Sequence, residues 1–291
     1  MAIETSTMLG GVAITDDLSG LIAEIRFNVK STHSERLMTG IDHILKQAGL
    51  KLADIDVFAI ASGPGSFTGL RIGLSTVKGF SYATGKPIVS VPTLEALSWN
   101  FPYCRYPVCT MLDARKKEVY AALFKWDDKG FTRIIDEVSI KVAKMLEKIN
   151  ETLTMYNITK DKKIHHPPLI PPIQGGEHTP TPLSRGDLSS PLAGEDSSRG
   201  VSSTTPQDEG EGGFSDKRVV FTGEGALLYK DKIIEVMGEK AIFATSEKMV
   251  PTPANIASLG IKKAREGEFS EPVSLVPFYL RRSEAELKRD A

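Results

Sequence analysis

The sequence predicts an α/β fold made of two similar lobes around a cleft. Three observations carry that prediction. The order strand–strand–strand–helix–strand–helix runs twice in succession along the chain. VFAIAS (57–62) and PIVSV (87–91) are short, mostly apolar runs, as in a parallel sheet buried on both faces. Outside one atypical segment, about 46% of the remaining 240 residues are apolar, which supplies an ordinary globular core.

The first run opens with residues 1–7, 10–16 and 20–29, whose alternation and turn residues predict an antiparallel meander. From His33 the positions Leu37, Ile41, Ile44, Leu45 and Ala48 fall at helical spacing, and Gly49 ends the helix. VFAIAS (57–62) is a buried strand, a helix follows from about Thr68 to Ala83, PIVSV (87–91) is another strand, and Thr93–Trp99 begins a further helix. The second run repeats the plan with strands at 108–113, 118–126 and 131–138 and a helix at 139–153. A strand (218–223), a helix (224–237), a short strand near Ala241–Ala244 and a helix near Pro253–Arg265 complete it. Two successive βββαβα units are the plan of the actin-like ATPases.

The atypical segment is 165–215, where Pro, Gly and Ser make up 24 of 51 residues and only 9 are apolar. It cannot bury enough surface to offset its ordering entropy, which predicts a disordered insert. Its functional alternative is a polyproline ligand built on Pro167, Pro168, Pro171 and Pro172. The whole chain has a net charge of −1, but the insert contributes −5 and the rest +4. The near-neutral total therefore conceals a mildly basic body, which weakens a charge argument against a nucleic-acid partner. No apolar run approaches a membrane span of about 20 residues, and the start has no basic or apolar leader pattern, so the expectation is a cytoplasmic protein without membrane contact. Cys104 and Cys109 are too few for a disulfide scaffold and read as idle thiols.

The motif that says most is Ala61–Gly73, ASGPGSFTGLRIG. Strand, Gly-rich turn and helix start in that order permit an anion site, but Leu70 and Arg71 stand where a Walker loop has Lys and Ser/Thr. Taken alone, the stretch reads as a structural turn. Gly69, Gly73 and Gly79 each cost about 1 kcal/mol in a helix interior, so something must offset them. Gly69, Gly73 and Thr76 form a narrow stripe that would admit a second helix, either of this chain or of another subunit. Glu4-Thr5-Ser6-Thr7 occupies the place of a first phosphate loop but lacks its Asp and glycines. His33 has no second His one turn later, since 37 is Leu and 38 is Met, and reads as a helix-start residue. Asp113 and Glu118 could pair as acid and base, but Arg115, Lys116 and Lys117 between them favour a charge-balanced hairpin. Arg281, Arg282, Lys288 and Arg289 make the end of the chain basic.

AIETST, THSERLM, GPGSFTGLRIG, VPTLEAL, MLDARKKEVY, FTGEGA and VPFYLRRSEAE, in that order, resemble the TsaB (YeaZ) family, the non-catalytic paralogue of TsaD. The resemblance implies an actin-like, ribonuclease H-like fold: an amino-terminal lobe (1–101), a carboxy-terminal lobe (102–283) holding the insert, and a tail (284–291). It implies a dimerisation and scaffold subunit, not an enzyme, with no cofactor or metal. The implied partners are a TsaD-like catalytic subunit, which modifies the adenosine beside the anticodon of ANN-reading tRNAs, and a TsaE-like ATPase, with a homodimer as the state of the chain alone. It places the partner interface on helices 33–49 and 67–84, at Met38, Asp42, Gly69, Ile72, Gly73, Thr76, Gly79 and Phe80. The family has two or three more residues before AIETST and lacks the insert. Rival readings are an actin-like small-molecule kinase or ATPase and a glycoprotease-like metalloprotein.

Overall fold

The computed structural model describes residues 1–28, 33–127, 130–160 and 218–280. The insert and the basic end, with Pro167–Pro172, Arg281, Arg282, Lys288 and Arg289, lie outside the described residues, as do the side chains of His33 and its two successors.

Two five-stranded mixed sheets share one topology. In the first, β1 (Ala2–Glu4), β2 (Leu9–Asp16), β3 (Gly20–Asn28), β4 (Phe58–Gly63) and β5 (Ile88–Pro92) lie in the order β3-β2-β1-β4-β5. In the second, β6 (Val108–Arg115), β7 (Glu118–Asp127), β8 (Gly130–Lys141), β9 (Val219–Thr222) and β10 (Ala241–Phe243) lie in the order β8-β7-β6-β9-β10. In each sheet the first strand is antiparallel to the second and parallel to the fourth: Ile3 faces Val12 and Ile60, and Cys109 faces Leu123 and Phe221. The double βββαβα order expected from the sequence is thus the observed one.

The helices are α1 (His33–Ala48), α2 (Phe67–Thr84), α3 (Thr93–Ser98), α4 (Val142–Lys160), α5 (Glu224–Leu228), α6 (Lys230–Met237) and α7 (Pro253–Arg265). Two boundaries differ from expectation. Residues 139–141 extend β8, because Ser139 and Ile140 pair with Tyr120 and Val119, so α4 starts later. The single helix expected over 224–237 is broken at Tyr229, whose φ of −109° and ψ of 24° leave the helical region.

Strand alternation sorts the core. Ile3, Val12, Ile14, Phe58 and Ile60 face α1 and α2, where Leu37, Ile41, Ile44, Leu74 and Val77 meet them. The opposite face carries Ala2, Ala13, Ala59 and Ala61 beside Val89 and Val91, and is covered by Ile256, Ala257 and Leu259 of α7. Small side chains let this helix approach closely: a Cβ on Gly260 would lie 2.6 Å from that of Ala59. Conversely, Leu94 and Leu97 of α3 pack on Leu112, Ala122 and Phe124 of the second sheet. Each run of sequence therefore lends a helix to the other run's sheet.

Candidate functional site

β1 ends at Glu4, whose side chain is fully buried at 0% exposure. Its Oε1 accepts hydrogen bonds from the Ser6 backbone N–H at 2.6 Å and the Ser6 hydroxyl at 2.5 Å, while Oε2 has no partner. Burial pushes its pKa up to about 7, against the opposing pull of the Ser6 hydrogen bonds. The carboxyl fastens the 4–7 turn from inside.

The Gly-rich turn after β4 locks onto this first turn. The Ser66 N–H donates to the Ser6 carbonyl at 2.7 Å, and the Ser66 hydroxyl caps α2 by accepting from the Gly69 N–H at 3.3 Å. A Cβ on Gly65 would strike the Ser6 carbonyl, and one on Gly69 the Thr5 carbonyl. On Gly73 it would strike the Thr5 hydroxyl and lie 2.9 Å from Ile60 Cδ1. Gly69 and Gly73 are buried and face this chain's own β1–β2 turn. The close approach that these two glycines permit is to this chain's own turn.

The other six interface positions stand differently. Met38 is 49% exposed on α1. Asp42 is exposed and pairs with Lys46 at 2.7 Å, one turn on. On α2, Gly79 is exposed with no atom within 4 Å of a Cβ built there. Thr76 is half-buried and donates to the Ile72 carbonyl at 2.9 Å. Ile72 and Phe80 are half-buried against the first core, the Phe80 ring 5.6 Å from that of Phe58. Leu37, where a second histidine would be required, is fully buried.

The sequence did not reveal that the strap 276–280 closes over the Gly-rich turn. The Phe278 N–H donates to the Ser62 carbonyl at 2.8 Å, and Gly63 passes so close that a Cβ would lie 2.7 Å from the Phe278 carbonyl. Tyr279 stacks on Phe67 with ring centroids 5.2 Å apart, and the Arg71 guanidinium lies 3.8 Å from the Phe67 centroid. Arg71 Nε donates to the Tyr279 hydroxyl at 3.1 Å. The aromatic pair in VPFYL was the only signal, and no local pattern could pair residues so far apart in sequence.

In the second lobe, Asp113 accepts from the Arg115 N–H at 2.9 Å, and the Tyr229 hydroxyl also bonds to it. Burial first, then the Asp113 charge, raises the Glu224 carboxyl. Asp113 thus sits with Glu224 and Tyr229, and the 113–118 stretch is the expected hairpin, with Arg115 paired to Glu118. Burial pushes the Cys109 thiol up, and both cysteines are free. Among the described residues no group of three or more His, Cys, Asp or Glu converges to hold a metal, and no helix is long and apolar enough to cross a membrane.

The profile of the family described as TsaD, tRNA N6-adenosine threonylcarbamoyltransferase, matches residues 21–180. The Bacillus subtilis protein named tRNA threonylcarbamoyladenosine biosynthesis protein TsaB is 25% identical over 288 residues, covering 99% of this chain and 96% of that protein. The Escherichia coli protein of the same name is 32% identical over 133 residues, covering 45% of this chain and 56% of that one. The solved structure of YeaZ from Pseudomonas aeruginosa aligns over 96% of this chain and 97% of its own, with a TM-score of 0.60 at 20% identity, and shares the fold. Matched over more than half of its length by the profile and along nearly all of it by a TsaB protein, the chain belongs to the TsaD family and, within it, to the TsaB (YeaZ) branch.

Proposed function

We propose that the chain is a non-catalytic subunit in tRNA N6-threonylcarbamoyladenosine biosynthesis, pairing through α1 and α2 with a TsaD-like catalytic subunit. The observation that carries this reading is the closure of the first-lobe turn on itself. A phosphate site at a Gly-rich turn before a helix needs free backbone N–H groups. Here the Ser66 N–H is engaged by the Ser6 carbonyl, the Gly69 N–H by the Ser66 cap, and Glu4 is sealed beneath them. That arrangement weighs against the kinase reading.

What α1 and α2 leave outward suits pairing. Met38 is an exposed apolar anchor on one helix, and bare Gly79 lets a partner approach the backbone of the other. Ile72, Thr76 and Phe80 are half-buried and available for completion by a partner surface. The partner is a TsaD-like subunit acting on ANN-reading tRNAs; a TsaE-like ATPase joins the assembly, and two copies of the chain pair through the same face when no partner is present.

Reconstitution tests the reading. Threonylcarbamoyladenosine formation on an ANN-reading tRNA, measured by nucleoside mass spectrometry, is expected to require this chain beside a TsaD-like subunit. Equal modification with the chain omitted would refute it. Met38→Asp is expected to abolish co-purification of the two subunits while leaving the thermal unfolding of the chain unchanged.

A further inference from the structure

The loop joining α3 to β6 has no part in the pairing face, yet it holds an aromatic ring out in water. Phe101, Pro102, Tyr103 and Cys104 form a turn closed by the Cys104 N–H donating to the Phe101 carbonyl at 3.3 Å. Pro102 takes the position that favours proline, and Tyr103 takes the next one with φ of +58°, where glycine or asparagine is the ordinary residue. A bulky side chain in left-handed backbone costs about 1–2 kcal/mol. The result is a tyrosine 83% exposed.

The ring is held from one side. Tyr103 lies against Trp126 with centroids 4.7 Å apart and planes inclined by 30°. Trp126 is fixed in turn by its indole N–H donating to the Phe101 carbonyl at 3.0 Å and by edge contact with Phe131 at 5.1 Å. The outer face of Tyr103 extends this stack into solvent.

Cations lie against the neighbouring residues of the same loop. Lys248 lies 5.1 Å from the Phe101 ring centroid and donates to the Asn100 carbonyl at 2.9 Å. Arg105 is exposed beside Tyr106, and Arg218 lies 4.7 Å from the centroid of the same ring. Arg105 and Lys248 make no ion pair with a described residue. Glu247, the carboxylate next in sequence to Lys248, is engaged by the Ser246 hydroxyl at 2.8 Å.

An exposed aromatic face at the end of a stack, on a loop that carries a guanidinium (Arg105) and binds an ammonium (Lys248) through the Asn100 carbonyl, matches a planar base carrying a phosphate. We infer that Tyr103, backed by Trp126 and with Arg105 in the same loop and Lys248 bound to that loop at Asn100, is a stacking platform for an unpaired base of single-stranded RNA. Duplex RNA keeps its bases inside the helix and does not offer that face. The platform extends the functional reading by giving this chain a contact of its own with the tRNA, and it does not depend on the α1–α2 pairing.

The test uses the full chain and fluorescein-labelled oligo(A), alone or annealed to oligo(U), read by fluorescence anisotropy. Binding to the single strand and not to the duplex is expected. Tyr103→Gly suits the left-handed backbone, so it should unfold at the same or a higher temperature while binding about tenfold more weakly. Tyr103→Phe should bind as the wild type does. Arg105→Ala should weaken binding and reduce its salt dependence by about one phosphate contact. Equal affinity of the wild type and Tyr103→Gly, or capture of a proline-rich peptide in preference to RNA, would overturn the inference. Co-purification of Tyr103→Gly with a TsaD-like subunit should be intact, which separates failure of the platform from failure of the pairing.

Discussion

Gly69 rests directly on the carbonyl of Thr5. The contact joins the helix start after β4 to the turn after β1, and Gly73 extends it one turn along α2 onto the Thr5 hydroxyl. Two glycines that look like a docking stripe are the means by which two turns of one lobe close upon each other.

Substitution separates the glycines of α2. Gly69→Ala and Gly73→Leu are expected to destabilise the chain by about 1–3 kcal/mol or more through overpacking, seen as a Tm lowered by about 2–4 °C for each kcal/mol. Gly79→Ala has open space and removes the helix penalty of glycine, so its Tm should rise, by about 1 kcal/mol of stability. If Gly73→Leu retained its full Tm, the inward placement would be wrong.

Gly79 is therefore the informative position for pairing. Gly79→Arg leaves the fold intact and places a large charged side chain on the outward face of α2. Size-exclusion chromatography with a TsaD-like subunit should show two separate species in place of a complex. A persisting complex would move the interface off this face.

Burial of Glu4 makes stability depend on pH. Its folded pKa of about 7 lies above the ordinary carboxyl value of 4.5, so the folded chain holds the proton more tightly than the unfolded one. The stabilisation is fully present below about pH 4.5 and is lost as pH rises to about 7. It amounts to about 3 kcal/mol, at about 1.4 kcal/mol for each pH unit. Glu137, raised to about 7 chiefly by burial with Arg133 opposing, acts in the same direction. Urea titrations of the wild type and Glu4→Gln across this range isolate the Glu4 share: the difference between their unfolding free energies should change with pH, and parallel curves would contradict its burial.

The strap over the Gly-rich turn has a measurable coupling. Arg71→Ala and Tyr279→Ala should each lower stability, and the double variant should lose less than the sum, with an interaction of about 0.5–1 kcal/mol for an exposed cation–aromatic cluster. Strict additivity would mean that Arg71 and Tyr279 do not hold each other.

The sequence by itself determined the duplicated order of strands and helices. Alternation and helical spacing record how often a residue is buried, and burial repeats along an element whatever covers it. It also marked Gly69, Gly73 and Gly79 as costly, and Leu37 and Met38 as residues that cannot complete a metal pair with His33. Only the tertiary structure decided what the glycines meet. A residue's pattern reports that a neighbour is close, not whether that neighbour is Thr5 of the same chain or a helix of another. The same limit hid the exchange of α3 and α7 between the sheets and the stack of Tyr279 on Phe67. These contacts join segments far apart in sequence, and the energy that selects them comes from shape and apolar area brought together by the whole fold.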